Sequence, residues 1–98
     1  MTELQTEVGK WHRTTFGETT NDLHRRLGLK LIEECFEATH ATDDAELLAE
    51  LADVMIVCLA WSDRLKASLE YRAWEKLAEL KDRPDQIERD AVRGIHVS

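Results

Sequence analysis

Apolar residues recur every three to four positions along most of this chain, and the breaks in that rhythm divide it into helical segments. Leu4, Val8, Trp11 and Thr15 form one such stripe, which predicts a first helix over residues 2–16 that ends near Gly17. Residues 17–22, GETTND, are turn and cap formers and read as a loop. A second helix is expected over 22–41. It is interrupted at Thr42, Asp43 and Asp44, where Asp43 with Glu46 three residues on resembles a capping box opening a new helix. That third helix, 45–66, is apolar nearly all round: Leu47, Leu48, Leu51, Val54, Met55, Val57, Cys58, Leu59 and Trp61. Ser68 can cap a fourth, with Leu69, Ala73, Leu77 and Leu80 at core spacing and Pro84 as its breaker. The polar run from residue 85 has room for one short helix with Ile87 and Ala91 inward. The pattern predicts an all-α, four-helix bundle with a central antiparallel hairpin.

Composition sharpens this in three respects. With 98 residues, 43% of them hydrophobic, the chain makes a single domain over 1–98 whose core is thin, and a third helix apolar on several sides calls for a partner subunit. A homodimer, or a tetramer built as a dimer of dimers, is therefore expected. The net charge of −7 argues against a nucleic-acid polymer or an anionic membrane as partner, since either needs clustered Lys and Arg. There is no apolar signal-peptide core and no run of about 18 apolar residues, so no membrane association and a cytoplasmic location are expected. Cys35 and Cys58 sit within apolar helical patterns and read as buried, reduced thiols.

Candidate chemistry is concentrated in residues 30–58. Glu33, Glu34 and Glu37 are followed, after twelve residues, by Glu50 and Asp53: E-E-x-x-E, a spacer, then E-x-x-D. Residues three apart share a helix face, so Glu34 pairs with Glu37 and Glu50 with Asp53. Glu37 and Glu50 stand roughly 9 to 10 Å from a bend near residue 43, level with each other across the hairpin. The Glu50 and Asp53 line continues to Val57, Ala60 and Trp61, so the acidic face runs into the core. Carboxylates gathered in a sheltered space repel one another unless protons or a cation neutralise them, and hard oxygen donors suit Mg²⁺ or Mn²⁺.

This acidic arrangement, on a helical hairpin in a chain of about this length, resembles the MazG-like all-α nucleoside triphosphate pyrophosphohydrolases. That superfamily also contains dimeric dUTPases, dCTP pyrophosphatases and phosphoribosyl-ATP pyrophosphohydrolases. The resemblance spans residues 23–83, with 84–98 as a polar tail, and is tight from Glu33 to Asp53. It implies Mg²⁺-dependent hydrolysis of a (d)NTP between the α- and β-phosphates to (d)NMP and pyrophosphate. The implied metal ligands are Glu34, Glu37, Glu50 and Asp53, with Glu33 as a non-ligating carboxylate able to accept a proton from the attacking water.

Lys30, on the same stripe as Glu34, is either an i, i+4 ion-pair partner or a cation that meets triphosphate oxygens; Arg26 reads as an ion-pair residue. Trp11 is a core or interface residue or a platform for a nucleobase. Tyr71, Trp74, Lys76 and Lys81 are the fourth-helix residues within reach of a nucleotide, with Lys76 or Arg83 as phosphate contacts. The chain departs from relatives in having no Asn in this region. His24 reads as structural.

Three other functions fit parts of the pattern. One is phosphoribosyl-ATP hydrolysis in histidine biosynthesis. Another is a non-catalytic helical dimerisation module with a solvated acidic stripe. The third is a di-iron site, suggested by Glu37-x-x-His40, although E-x-x-D on the third helix and the place of His40 beside the turn argue against it.

Overall fold

In a computed structural model, residues 2–82 form four helices and no strand. They are α1 (Glu3–Phe16), α2 (Asn21–Thr39), α3 (Asp44–Arg64) and α4 (Leu69–Lys81). Pro84, the tail 84–98, Arg83, Ile87 and Ala91 lie outside the described residues.

Each helix begins at a side-chain cap. Thr2, Thr20, Asp43 and Ser68 accept hydrogen bonds from the backbone N–H of Gln5, Leu23, Glu46 and Tyr71, at 3.2, 3.0, 2.8 and 3.2 Å. Caps of this kind contribute about 1 kcal/mol each. The expected box at the α2–α3 turn forms in a variant way, because the Glu46 carboxylate reaches back to the backbone N–H and hydroxyl of Thr42 rather than to Asp43. Those bonds hold the Glu46 carboxyl below its ordinary range. At the end of α1, Gly17 has φ 78° and donates its N–H to the Arg13 carbonyl, a left-handed position that suits glycine.

The hairpin of α2 and α3 is the main body, with α1 lying against α3, while α4 makes few contacts with α3 and meets α1 through Leu69. Two small apolar clusters hold it. Leu23, Leu27 and Val57 pack with Leu31 and Trp61 between α2 and α3. Val8, Leu59 and Ala60 pack with Ile56 and Leu69 between α1 and α3.

Two sequence expectations are corrected by this packing. First, α1 turns a different face inward: its buried residues are Gln5, Val8, Gly9 and His12, while Leu4 and Trp11 are exposed. The inward polar groups find partners across the interface. Gln5 Nε2 donates to the Ala67 carbonyl at 2.6 Å, and Gln5 Oε1 accepts from the Leu69 N–H at 3.0 Å, so a fully buried amide fastens the α3–α4 connection to α1.

Second, α4 does not supply core to this chain. Leu69 packs inward, but Ala73, Leu77 and Leu80 are exposed, as are Tyr71 and Trp74. The hairpin likewise leaves Leu29, Ile32 and Phe36 uncovered on α2, and Leu48, Leu51 and Met55 on α3. Each trio has i, i+3, i+7 spacing and forms an apolar stripe along its helix.

Among the described residues no helix is long and apolar enough to cross a membrane. Cys58 is half-buried, which raises its thiol pKa, whereas Cys35 is exposed, contrary to the expectation that both thiols are covered.

Candidate metal centre and adjoining cleft

The acidic residues on the hairpin converge as their spacing predicts, but unequally. Glu34, Glu50 and Asp53 each bring a carboxylate oxygen within 4.8 Å of the other two. Glu34 is only 6% exposed, Glu50 is half-buried and Asp53 lies at the rim. The downward course of the α3 stripe is also as expected, since Val57 and Ala60 are buried one and two turns beyond Asp53.

Two oxygens in the cluster stand out. Glu34 Oε2 and Glu50 Oε2 are sealed from water and have no hydrogen-bond partner; they are the only such side-chain atoms among the described residues. A buried acceptor left unpaired is unfavourable. The other Glu34 oxygen takes Lys30 Nζ at 3.0 Å. Glu50 has its carboxyl pKa raised, first by desolvation, then by the negative charge of neighbouring Glu37 and a hydrogen bond between the two carboxyls, with smaller contributions from Asp53 and Glu34. Glu37 thus faces Glu50 at the exposed edge without joining the three-residue cluster. Glu33 is farther out, 3.6 Å from Lys30 on the exposed side of α2.

The donor set suits a hard divalent cation. It offers oxygen atoms only, with two carboxylate oxygens of these residues unpartnered, and all three residues bring an oxygen close enough for one small cation to reach them together. Three carboxylates with one ammonium, and Glu33 and Glu37 at the edge, leave an excess of negative charge that a dication reduces. His40 stays outside: its ring stacks on Phe36 with centroids 4.1 Å apart, and its Nδ1 lies 2.9 Å from the Phe36 carbonyl oxygen. The Glu-x-x-His pattern is therefore not assembled with the acidic cluster in this chain.

Glu34 and Asp53 also form one end of a cleft of about 560 Å³ between α1, α2 and α3. That volume falls in the range of small-molecule sites. Lys30, 3.0 Å from Glu34, and Arg26, whose charge acts on His12, also line it, with Leu23, Leu27, Ile56, Val57 and Ala60 as its apolar residues and Trp11, His12 and Phe16 as the wall contributed by α1. Trp11, 53% exposed, stands edge to face with Phe16 at 6.1 Å. Of the two readings open for Trp11, burial in the core of this chain is excluded. Lys30 carries the ion pair expected of it and lines the cleft as well, while Arg26 pairs with Asp22 at 3.0 Å. His24 accepts a hydrogen bond from Trp61 Nε1 at 2.9 Å, in keeping with a structural role.

Lys76 is not brought to the cleft. It lies on the exposed face of α4, 3.3 Å from Glu79, and borders a separate depression with Arg72 and Glu75. Tyr71, Trp74 and Lys81 share the exposed α4 and do not line the cleft either.

Three buried polar residues, His12, Asp63 and Arg64, were not singled out by the sequence pattern. Asp63 pairs with Arg13 against the backbone of α1, at the point where a Cβ on Gly9 would overlap its carboxylate. Arg64 is buried beneath the other side of α1. Its Nε and Nη2 donate to His12 Nδ1 at 3.2 and 2.9 Å, and Nη2 donates to the His12 carbonyl at 3.0 Å. Its Nη1 donates to the Gly17 carbonyl and lies 3.4 Å from Thr19 Oγ1, tying down the loop before α2. Burial, and then the adjacent Arg64 charge, lower the His12 pKa. Only the recurrence of Gln5, Val8, Gly9 and His12 at helical spacing hinted at this face in the sequence. No family model, curated protein or solved structure matches the chain, which leaves the arrangement of its side chains as the ground for assigning chemistry.

Proposed function

We propose that this chain is a MazG-like nucleoside triphosphate pyrophosphohydrolase that converts a (d)NTP to the (d)NMP and pyrophosphate with Mg²⁺. The observation that carries this reading is the pair of sealed, unpartnered oxygens of Glu34 and Glu50, set with Asp53 at the end of a cleft whose far wall is aromatic. A solvated acidic stripe does not need buried, unpaired acceptors, and a site for a divalent cation does.

Glu34, Glu50 and Asp53 hold the cation, with Glu37 beside Glu50 as a fourth donor. When bound, Mg²⁺ supplies charge neutralisation for the triphosphate and for the leaving pyrophosphate. Lys30 stands 3.0 Å from Glu34 and lines the cleft, so it can hold Glu34 in place and meet a phosphate oxygen. The reaction joins the oxygen of a water molecule to the α-phosphorus, breaks the bond from that phosphorus to the bridging oxygen, and releases pyrophosphate. The proton of the water passes to a carboxylate outside the ligand set; Glu33, the candidate from the sequence, does not line the cleft in this structure. Trp11 and Phe16 offer ring surfaces to the base at the other end.

The uncovered stripes on α2, α3 and α4 support assembly as a homodimer or a dimer of dimers, since a chain this small gains much of its stability by burying them. Lys76 has no contact with the cleft within one protomer, so a phosphate role for it requires a second copy.

A panel of ribo- and deoxyribonucleoside triphosphates incubated with the full chain and Mg²⁺ tests the proposal. Release of pyrophosphate and the matching monophosphate is expected for at least one substrate. Release of orthophosphate alone rejects the reaction.

A further inference from the structure

We infer that His12 is a one-way hydrogen-bond donor in the cleft, selecting a base that offers an acceptor, and that Arg64 is the positioning residue that fixes it so. The inference rests on the nucleotide reading of the cleft.

A guanidinium has five N–H donors and no acceptor. Both of its contacts with His12 Nδ1, at 3.2 and 2.9 Å, are therefore donations into the ring lone pair. A neutral imidazole that accepts at Nδ1 carries its proton on Nε2. The ring cannot be doubly protonated without bringing an N–H against the guanidinium, and the lowered pKa of His12 agrees with a neutral ring. Rotating away is obstructed on the Arg64 side, because that buried side chain is also bonded to the carbonyls of His12 and Gly17.

Placement of the ring gives this tautomer a purpose. His12 lines the cleft and Arg64 does not, so Nδ1 is turned away from the cavity and the opposite edge, with Nε2–H, is left for it. Nε2 has no hydrogen-bond partner among the described residues, yet it is not one of the two sealed, unpartnered side-chain atoms, so it is accessible. Phe16 packs against one side of the ring at 4.5 Å and Trp11 meets it edge-on at 5.9 Å. A base that enters the cleft beside this ring cluster meets a donor that cannot become an acceptor. A carbonyl or an unprotonated ring nitrogen is accepted, and an amino or N–H group at that position is refused by about tenfold to a hundredfold in affinity.

The test uses the ¹⁵N-labelled full chain at neutral pH, with long-range proton–nitrogen correlation of the imidazole rings. The free protein is expected to show His12 with an unprotonated Nδ1 and a protonated Nε2, and Arg64→Lys to admit the other tautomer. Titration with dAMP, dGMP, dCMP and dTMP is then followed at His12 Nε2–H and at the Trp11 indole. The nucleotide that binds tightest should shift both signals, and His12→Phe should level affinities across the panel while Trp11 still responds. A proton on Nδ1 in the free protein overturns the inference, as does a nucleotide that moves Trp11 and leaves His12 Nε2–H unchanged. If no nucleotide moves either ring, the nucleotide reading fails and takes the inference with it, an outcome distinct from the other two.

Discussion

Glu50→Gln separates a metal cage from an ordinary acidic surface, because the two predict opposite responses to Mg²⁺. In the metal-free chain Glu50 is forced to ionise among Glu37, Asp53 and Glu34, and its raised pKa means that ionisation there opposes folding. An amide of nearly the same shape removes that charge. The metal-free variant should therefore be more stable than the parent at neutral pH. The substitution also takes one negative charge from the ligand set and removes one of the two sealed carboxylate oxygens, so a dication is held less tightly.

The size of the metal effect follows from mass action. Mg²⁺ at about 100 times its Kd stabilises a folded chain that alone binds it by about 2.7 kcal/mol. Unfolding entropy of roughly 2.1 cal/mol/K per residue, over 98 residues, gives about 0.2 kcal/mol/K, and the parent should gain about 13 °C in Tm. Differential scanning fluorimetry with a Mg²⁺ titration, repeated with K⁺ at matched ionic strength, measures this. Glu50→Gln should start higher, gain little from Mg²⁺, and lose pyrophosphatase activity. A variant that starts lower than the parent and keeps the full Mg²⁺ increment refutes the argument, because Glu50 would then be neither repelled nor a ligand.

Three further outcomes are expected. Gly9→Ala should destabilise the chain by about 1–3 kcal/mol in urea unfolding, since its methyl group displaces the buried Asp63 carboxylate, although alanine alone favours a helix by about 1 kcal/mol; a stabilised variant contradicts the packing. The Mg²⁺ increment should fade as pH falls through the raised Glu50 pKa, above the ordinary glutamate range. Over that same interval protonation of Glu50 adds to metal-free stability, because the folded state binds the extra proton, while the lowered pKa of His12 subtracts from it below about pH 6.5, so the Glu50 contribution is the difference between the parent and Glu50→Gln; Asp22 and Glu46, both held below their usual range, cost stability at lower pH still; parallel melting curves with and without Mg²⁺ decide it. Light scattering at low micromolar concentration should give a mass of two or four chains, and Ile32→Lys or Leu48→Lys should lower it; a monomeric parent removes the assembly proposal.

The hairpin was legible because its signals are local. Asp43 and Ser68 cap the helices they were expected to cap, Gly17 ends α1, and Glu50 and Asp53 point toward Val57 and Ala60 as helical geometry requires. What was missed depends on contacts between distant positions. Leu4, Val8, Trp11 and Thr15 make as good an apolar stripe as Gln5, Val8, Gly9 and His12. The second face is buried because Ala67, Leu69, Asp63 and Arg64, fifty or more residues away, provide a partner for each polar group or a close approach to the glycine. Periodicity ranks residues by hydropathy and has no term for a polar side chain whose partner comes from another helix. The same limit applies to α4, whose apolar positions are spaced for a core that this single chain does not supply.

These buried polar contacts have a consequence for the site. The apolar contact between α1 and α3 is small, essentially Val8 against Leu59 and Ala60 with Ile56 and Leu69 at its edges. Hydrophobic attraction has little directionality, so such a patch alone would let α1 roll on α3. Asp63 seated against Gly9 and Arg64 bonded to His12 fix the roll angle at two adjacent turns, and hydrogen bonds supply the direction that packing lacks. The fixed angle keeps Trp11 outside the core and over the cleft, on the same wall as the His12 ring. The aromatic wall and the carboxylate end are thereby both referenced to α3, one through Asp63 and Arg64, the other through Glu50 and Asp53. Loss of the Arg64 or Asp63 contacts should therefore disturb recognition at the aromatic end while leaving the Mg²⁺-dependent stabilisation at the acidic end in place.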